Sequence, residues 1–224
     1  MKMIRAAVIA TALATPALAS QAAPANLGYD FVEFNAGIGK LGVEAADFRE
    51  DLRTRNFAAR WSGMISDNLY STLNLARLSG DGDETYSNNR YELVTRQTNY
   101  SVLVGGAFGI GETMDIFAGL GIGGFKQHSR LDVSNPQGEE STDLDTRKTS
   151  LAWEVGLRKQ FWDSALELEA RAHGIGEQQN VDFNLPFYLS DEISVSPWVS
   201  LMQEDRIKIN KSHAVFGMGL RINY

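Results

Sequence analysis

The last thirteen residues constrain the fold of this chain more than any other stretch. Between Ser212 and Tyr224 every second side chain is apolar, and most of the residues between them are small or polar. Because successive side chains of a strand point to opposite faces, the pattern predicts a strand with one apolar and one polar face. The apolar face ends on an aromatic residue and carries Phe216, Met218, Leu220, Ile222 and Tyr224.

A strand of this kind can belong either to the edge of a soluble sandwich or to a closed barrel in a membrane. At an open edge, its unpaired backbone groups would invite pairing with other chains. Closure into a barrel removes the edge and satisfies every backbone group, and it places the apolar face against lipid. The pattern therefore favours a transmembrane β-barrel.

The first residues have the features of a secretory signal peptide. Lys2 and Arg5 form a basic start, an apolar core follows over residues 6–13, and Ala17-Leu18-Ala19 resembles a cleavage site. We expect a signal peptide over residues 1–22, cleaved somewhere within 19–23, and a single barrel domain over residues 23–224. The apolar core is too short for a transmembrane helix.

Charge and cysteine content exclude several functional classes. The chain has a net charge of −7, and removal of two basic leader residues takes the mature chain to about −9. This acidity argues against nucleic acid as a partner. Cysteine is absent, which excludes a disulfide framework, a zinc thiolate site and a thiol nucleophile.

Alternation of apolar with small or polar residues recurs along the rest of the chain and predicts an all-β, antiparallel, up-and-down barrel. The tight-turn signal Ser66-Asp67-Asn68 has a second copy at Ser190-Asp191-Glu192, and counting both gives ten strands. The alternative is eight strands with residues 177–211 as one long external loop. Pro186 and Pro197 favour that alternative, because proline fits poorly inside a paired strand. The acidic stretches around residues 44–51, 79–90 and 129–146 are expected as external loops.

The alternation also predicts which charged residues face the barrel interior. Unpaired charges in a narrow lumen are unfavourable, so these residues are expected to form an ion network that either fills the lumen or lines a narrow pore. The predicted set is Glu33, Arg60, Glu154, Arg158, Glu167, Glu169, Arg171 and His173.

The pattern of strands, short turns and charged outer loops resembles that of small outer-membrane β-barrel proteins of Gram-negative bacteria, the group that includes the OmpA barrel and OmpX-like proteins. The resemblance covers the mature chain but includes no functional motif. It implies location in the outer membrane, contact with outer-membrane lipid and lipopolysaccharide, and assembly by periplasmic chaperones and the insertion machinery, with the C-terminal strand as the assembly signal. A monomer without cofactors is expected.

Three functions remain open from the sequence. The first is a non-catalytic structural or surface-interaction barrel, and the second is a narrow diffusion channel for small solutes. The third is a lipid or peptide hydrolase that uses His128, His173 or His213, although His128 and Ser129 are adjacent and must point to opposite faces of a strand. Asp81-Gly82-Asp83-Glu84 lacks the ligand spacing of a calcium loop, so no metal site is expected.

Overall fold

The computed structural model describes residues 28–45, 48–86, 89–162, 165–203 and 213–224. The predicted signal peptide lies outside these residues. Within them no helix is both long and apolar enough to cross a membrane. The strands are β1 (Phe31–Ala45), β2 (Phe48–Ser66), β3 (Leu69–Tyr86), β4 (Asn89–Gly109), β5 (Met114–Asn135), β6 (Gly138–Phe161), β7 (Leu166–Ile175), β8 (Gln178–Asn184), β9 (Phe187–Tyr188), β10 (Ile193–Gln203) and β11 (His213–Asn223).

All of these strands belong to one antiparallel sheet that closes on itself. Consecutive strands pair along the chain, and β11 pairs with both β10 and β1, so the sheet closes into a ring. Above the ring β6 extends beyond β7, with which it pairs only over Ala152–Phe161. β8 and β9 lie end to end between β7 and β10. They are two pieces of one strand of the wall, and the described barrel therefore has ten strands. The prediction of ten rather than eight strands is confirmed.

The two prolines that favoured eight strands meet at a single interruption of the wall. The break between β8 and β9 contains Leu185 and Pro186, and the Leu185 N–H donates to the Pro197 carbonyl across it at 3.1 Å. On the other side the Glu167 N–H donates to the Pro186 carbonyl at 2.9 Å. Because both carbonyls remain bonded, the missing proline donors affect only one point of the sheet.

The predicted outward and inward faces are confirmed along the wall. Ile38 on β1 and Ile122 on β5 are 71 % and 67 % exposed, although both are large and apolar. Such residues form a continuous band on the outer surface, as expected where lipid replaces water. We call this the apolar band, and the inward residues of the same strands are mostly polar or glycine.

The expected long external loops were wrong in extent, because most of their residues lie in paired strands. β5 and β6 stay in register up to the pair Asn135–Gly138, and β3 and β4 up to Tyr86–Asn89. β5 has 22 residues, whereas a span needs about 9–11. Beyond the apolar band the outer face is mostly polar or charged, while some inward residues, such as Leu52 and Leu93, are apolar. Hydrogen bonding therefore continues, although the alternation with apolar residues outward disappears.

The end of the barrel that carries Tyr224 and the tight turns is closed by aromatic side chains; we call it the lower end. Tyr29 stacks on Tyr70 at 5.1 Å between ring centroids, and Phe117 packs edge-on against both at 6.3 Å. Gly105 faces the Tyr70 ring so closely that a Cβ atom there would overlap it. The inward glycines thus provide the space that these bulky side chains need.

Candidate functional site

Strand alternation places a set of ionisable side chains inside the barrel. Glu167 and Glu169 occupy successive inward positions of β7, and Arg221 occupies an inward position of β11. Glu33 on β1 and Arg60 on β2 are register partners, so their side chains project from the wall side by side. Together these five residues form what we call the main cluster.

Arg221 is the centre of the main cluster and is only 1 % exposed. Its guanidinium donates to Glu33 Oε2 from Nε at 2.8 Å, to Glu167 Oε1 at 3.0 Å and to Glu169 Oε2 at 2.7 Å. One cation thus bridges β1, β7 and β11 across the lumen. Charge-assisted bonds of this kind are the strongest hydrogen bonds available to side chains.

Arg60 makes the second set of bridges. Its Nη1 and Nη2 donate to the two carboxylate oxygens of Glu169 at 2.6 and 3.0 Å, and Nη2 also donates to Glu33 at 3.2 Å. The Phe31 ring lies 4.8 Å from the guanidinium carbon of Arg60 and 4.5 Å from that of Arg221. An aromatic face beneath two cations adds attraction where water is excluded.

Neutral donors complete the coordination of the main-cluster carboxylates. The Asn35 amide donates to Glu33 Oε1 at 2.7 Å, and the Tyr188 hydroxyl donates to Glu167 Oε2 at 3.0 Å. Three carboxylates face two guanidinium groups here, so these donors help to hold the excess negative charge.

A second group of charges, the upper cluster, lies on β6, β7 and β8. Asp182 accepts from Arg171 at 2.8 Å and contacts His173 Nε2 at 2.9 Å. Arg171 also lies 3.7 Å from Glu154, which accepts a hydrogen bond from the Tyr70 hydroxyl at 3.0 Å. The upper cluster is thereby connected to the aromatic base of the barrel through Tyr70.

Arg158 and Asp115 form a third, separate pair at the lower end. Their salt bridge is 3.1 Å long and both side chains are buried. The Arg158 guanidinium lies 3.7 Å above the Tyr29 ring and donates to the Gly28 carbonyl at 3.0 Å. This pair fastens the residues that precede β1 across the lower opening of the lumen.

Above the main cluster the lumen contains a cavity of about 170 Å³. Glu33, Arg60, Glu154 and Arg171 contribute to its lining, so the charged clusters form part of its boundary. The remaining lining combines apolar side chains, such as Leu78, Leu103 and Ile175, with amide side chains on β2, β3, β4, β5 and β8. These are Asn56, Asn74, Gln97, Asn99, Gln127, Gln178 and Asn180. The lumen is therefore filled with side chains below and partly open above.

The structure brings the predicted residues together in three places rather than in one network. Glu33, Arg60, Glu167 and Glu169 lie in the main cluster. Glu154, Arg171 and His173 belong to the upper cluster, and Arg158 stands apart with Asp115. The three clusters contain all eight residues of the predicted set.

Three members of these clusters were not predicted: Arg221, Asp115 and Asp182. Arg221 is the most consequential, because every carboxylate of the main cluster contacts it. Its inward position follows from the alternation of the last strand, in which both neighbours, Leu220 and Ile222, are apolar. The alternation that produces the apolar face of the last strand therefore also indicates that Arg221 faces the lumen.

The histidines do not form a nucleophilic arrangement in the described residues. His128 lies on the outer face and contacts Asp145 at 3.0 Å, whereas Ser129 faces inward and bonds to Thr95 at 3.0 Å. His173 contacts Asp182, and the His213 side chain lies outside the described residues. No group of three or more His, Asp or Glu residues in the described ranges could hold a metal ion.

The C-terminal strand closes the ring with its apolar face outward. Its outward residues Phe216, Met218, Leu220, Ile222 and Tyr224 are exposed, and Val215 on the opposite face is buried. The Tyr224 hydroxyl donates to the Ser62 carbonyl at 3.0 Å and so fastens the last residue to β2. The strand pairs with β1 over ten residues and with β10 over ten.

Comparison with known proteins agrees with this architecture. The family model described as outer membrane protein beta-barrel domain matches residues 6–185. Among solved structures, the transport unit of the autotransporter AIDA-I from Escherichia coli is similar, with a TM-score of 0.54 and 11 % identity over 89 % of this chain and 91 % of that chain. OprG from Pseudomonas aeruginosa has a TM-score of 0.45 and 10 % identity over 88 % of this chain and 98 % of its own. Ail of Yersinia pestis has a TM-score of 0.38 and 16 % identity over 87 % and 99 %.

A search of curated proteins gave no match. The family model covers well over half of the chain and agrees with the closed ring and its apolar band. This chain belongs to the outer membrane protein β-barrel domain family and is an integral barrel of the Gram-negative outer membrane.

Proposed function

We propose that this protein is a non-conducting, non-catalytic surface barrel that stands in the outer membrane as a monomer and holds rigid hairpins outside it. The observation that carries the proposal is the main cluster, in which two arginines and three glutamates from four strands cross the lumen. Passage of ions would require these buried pairs to separate, and separation leaves uncompensated charge in a poorly hydrated space.

The height of the wall supports a surface role. In the family short turns face the periplasm and longer connections face outward, which puts the tall ends of β1 to β6 outside the cell. These hairpins are continuous extensions of strands fixed in the membrane, so they present their side chains on a rigid surface. The C-terminal strand, with its terminal aromatic, would serve as the assembly signal for the insertion machinery, and lipopolysaccharide would surround the outer half.

A narrow channel is the second candidate, and the amide side chains in the cavity above the main cluster favour it. An uncharged amide lining is suited to small polar solutes. In this case the main cluster would act as the constriction rather than as a permanent plug.

Conductance of the purified barrel in planar bilayers separates the two candidates. We expect the wild-type protein to insert without producing discrete current steps, and steps in the wild-type protein would contradict the closed barrel. Asn99→Trp, which fills the cavity, would then abolish the steps if the lumen conducts. Thr98→Trp, on the opposite face of the same strand, is the matched control and would leave them unchanged.

A further inference from the structure

A band of positive charge lies on the outer surface directly above the apolar band. On each of the six neighbouring strands β1 to β6, the first charged outward residue above the apolar band is basic. The band ends on these strands at Ile38, Phe57, Leu75, Tyr100, Ile122 and Leu151, and Val94 on β4 is an isolated apolar residue above it. The basic residues that follow, here called the basic belt, are Lys40, Arg55, Arg77, Arg96, Lys126 and Arg147.

The register confirms that the belt residues share one face of the sheet. Directly paired residues of neighbouring strands project to the same side. Arg55 pairs with Ile38, and Arg77 pairs with Phe57, both of which are exposed members of the apolar band. All six belt side chains are exposed. The belt thus surrounds the tall half of the barrel at the upper margin of the lipid.

Overall composition does not account for this arrangement. The chain contains 28 acidic and 21 basic residues, so six basic residues at six equivalent positions are not what random placement would give. Farther from the apolar band the outward residues become predominantly acidic, with Asp81, Asp83, Glu92, Asp132, Asp143 and Asp145. The outer face is therefore layered: apolar, then basic, then acidic.

The belt residues also differ from Arg90 and Arg130, two outward cations that lie farther from the apolar band. In the described part of the chain none of the six forms a salt bridge, whereas Arg90 pairs with Asp83 at 3.4 Å and Arg130 with Asp132 at 2.9 Å. Positive charge that the protein does not neutralise itself is available to an external anion.

From its position and charge we propose that the basic belt binds the phosphate groups of outer-leaflet lipopolysaccharide. Phosphates of a lipid head group lie just above the acyl chains, at the level where the belt meets the apolar band. Neighbouring strands are about 4.8 Å apart, so a head group that carries two phosphates can contact cations from several strands at once. The proposal relies on the outward orientation of the tall hairpins given under the proposed function.

Binding of purified lipid A in detergent micelles to the folded protein tests the belt. Arg77→Gln, Arg96→Gln and Lys126→Gln together should weaken binding of bisphosphorylated lipid A by about tenfold or more. The matched control is Arg90→Gln, Arg130→Gln and Lys159→Gln, which removes the same number of charges away from the belt. This control should bind as the wild type does, and equal losses in the two triple variants would overturn the proposal.

Two further measurements define the ligand. Monophosphorylated lipid A should bind more weakly than the bisphosphorylated form, and the difference should shrink at high salt. Inorganic phosphate should not displace the lipid at equal concentration; if it does, the site recognises free phosphate and the assignment to lipid is wrong. A difference in gel mobility between boiled and unboiled samples verifies that each variant is folded. If the triple variant does not fold, Arg96→Gln alone replaces it and should cause a smaller loss of lipid A binding.

The outcome is independent of conductance. A barrel that conducts but binds lipid A through the belt would disprove only the closed lumen. A barrel that does not conduct, and whose belt variant binds lipid A as the wild type does, would disprove only the belt.

Discussion

Arginines on the inner and outer surfaces of the same wall have opposite surroundings. Arg221 faces the lumen and contacts three carboxylates, whereas Arg96 faces outward from β4 and forms no salt bridge with a described residue. Inside the barrel little water is available, so a charge has to be neutralised by neighbouring side chains. Outside, water and lipid head groups can do this. The difference shows that the lumen arginines hold the wall together, while the belt arginines are available for a partner.

The largest expected effect is in the main cluster. Arg221→Met leaves Glu33, Glu167 and Glu169 without their shared cation and should lower the free energy of unfolding by about 3–5 kcal/mol. Arg96→Met, which removes an exposed and unpaired charge, should change it by no more than about 0.5 kcal/mol. Urea titration of the folded protein in lipid vesicles measures both. Similar losses in the two variants would mean that the lumen charges are hydrated.

A charged substitution in the apolar band should have the next largest effect on the stability of the barrel. Leu120→Arg places a charge in the middle of the band and should destabilise the barrel by about 2–4 kcal/mol in bilayers. Gly111 in the lower turn is an unsuitable control, because its φ of 71° is a conformation that arginine adopts with strain. Glu112→Arg in the same turn avoids that strain and should have little effect. If both substitutions were tolerated equally, the outward face of β5 would not contact lipid.

The smallest expected effect is a change in the pKa of a paired carboxyl group above the belt. The Ser141 hydroxyl and the Arg130 guanidinium hold the pKa of the Asp132 carboxyl below its usual value. A lowered pKa contributes stability that is present above the usual carboxyl pKa and lost as the pH falls through the lowered value.

Ser141→Ala removes the larger of these two causes, so the pKa of Asp132 should move up toward its usual value. Titration of the Asp132 carboxyl by NMR measures the change. An unchanged pKa would show that Arg130 alone determines it.

The sequence was sufficient to orient most side chains but not to pair them. The alternation placed Glu169 inward and Phe34 outward, because each inward position is fixed by its neighbours. It could not show that Glu169 contacts Arg60, which lies 109 residues away in the chain. Arg158 was assigned to the same network as Glu167, yet its salt bridge is with Asp115 at the lower end. These contacts depend on register and barrel closure, which periodicity does not encode.

The hairpins outside the membrane show a second limit of the sequence. Residues 129–146 were expected as an acidic loop because apolar alternation ends there. The strands continue nonetheless, since backbone hydrogen bonding between β5 and β6 does not depend on which solvent lies on each side. The basic belt could not be predicted for a related reason. Successive members of the belt are separated by 15–30 residues in the chain and become neighbours only when the strands pair.

The sequence by itself determined that this chain is a barrel of the outer membrane, because period-two alternation specifies a strand with lipid on one side, and its repetition requires closure. Tertiary structure alone decided which charges neutralise one another and which remain free. The physical reason is that side-chain direction is a local property of a strand, whereas ion pairing depends on distances across the lumen that exist only after β11 has joined β1.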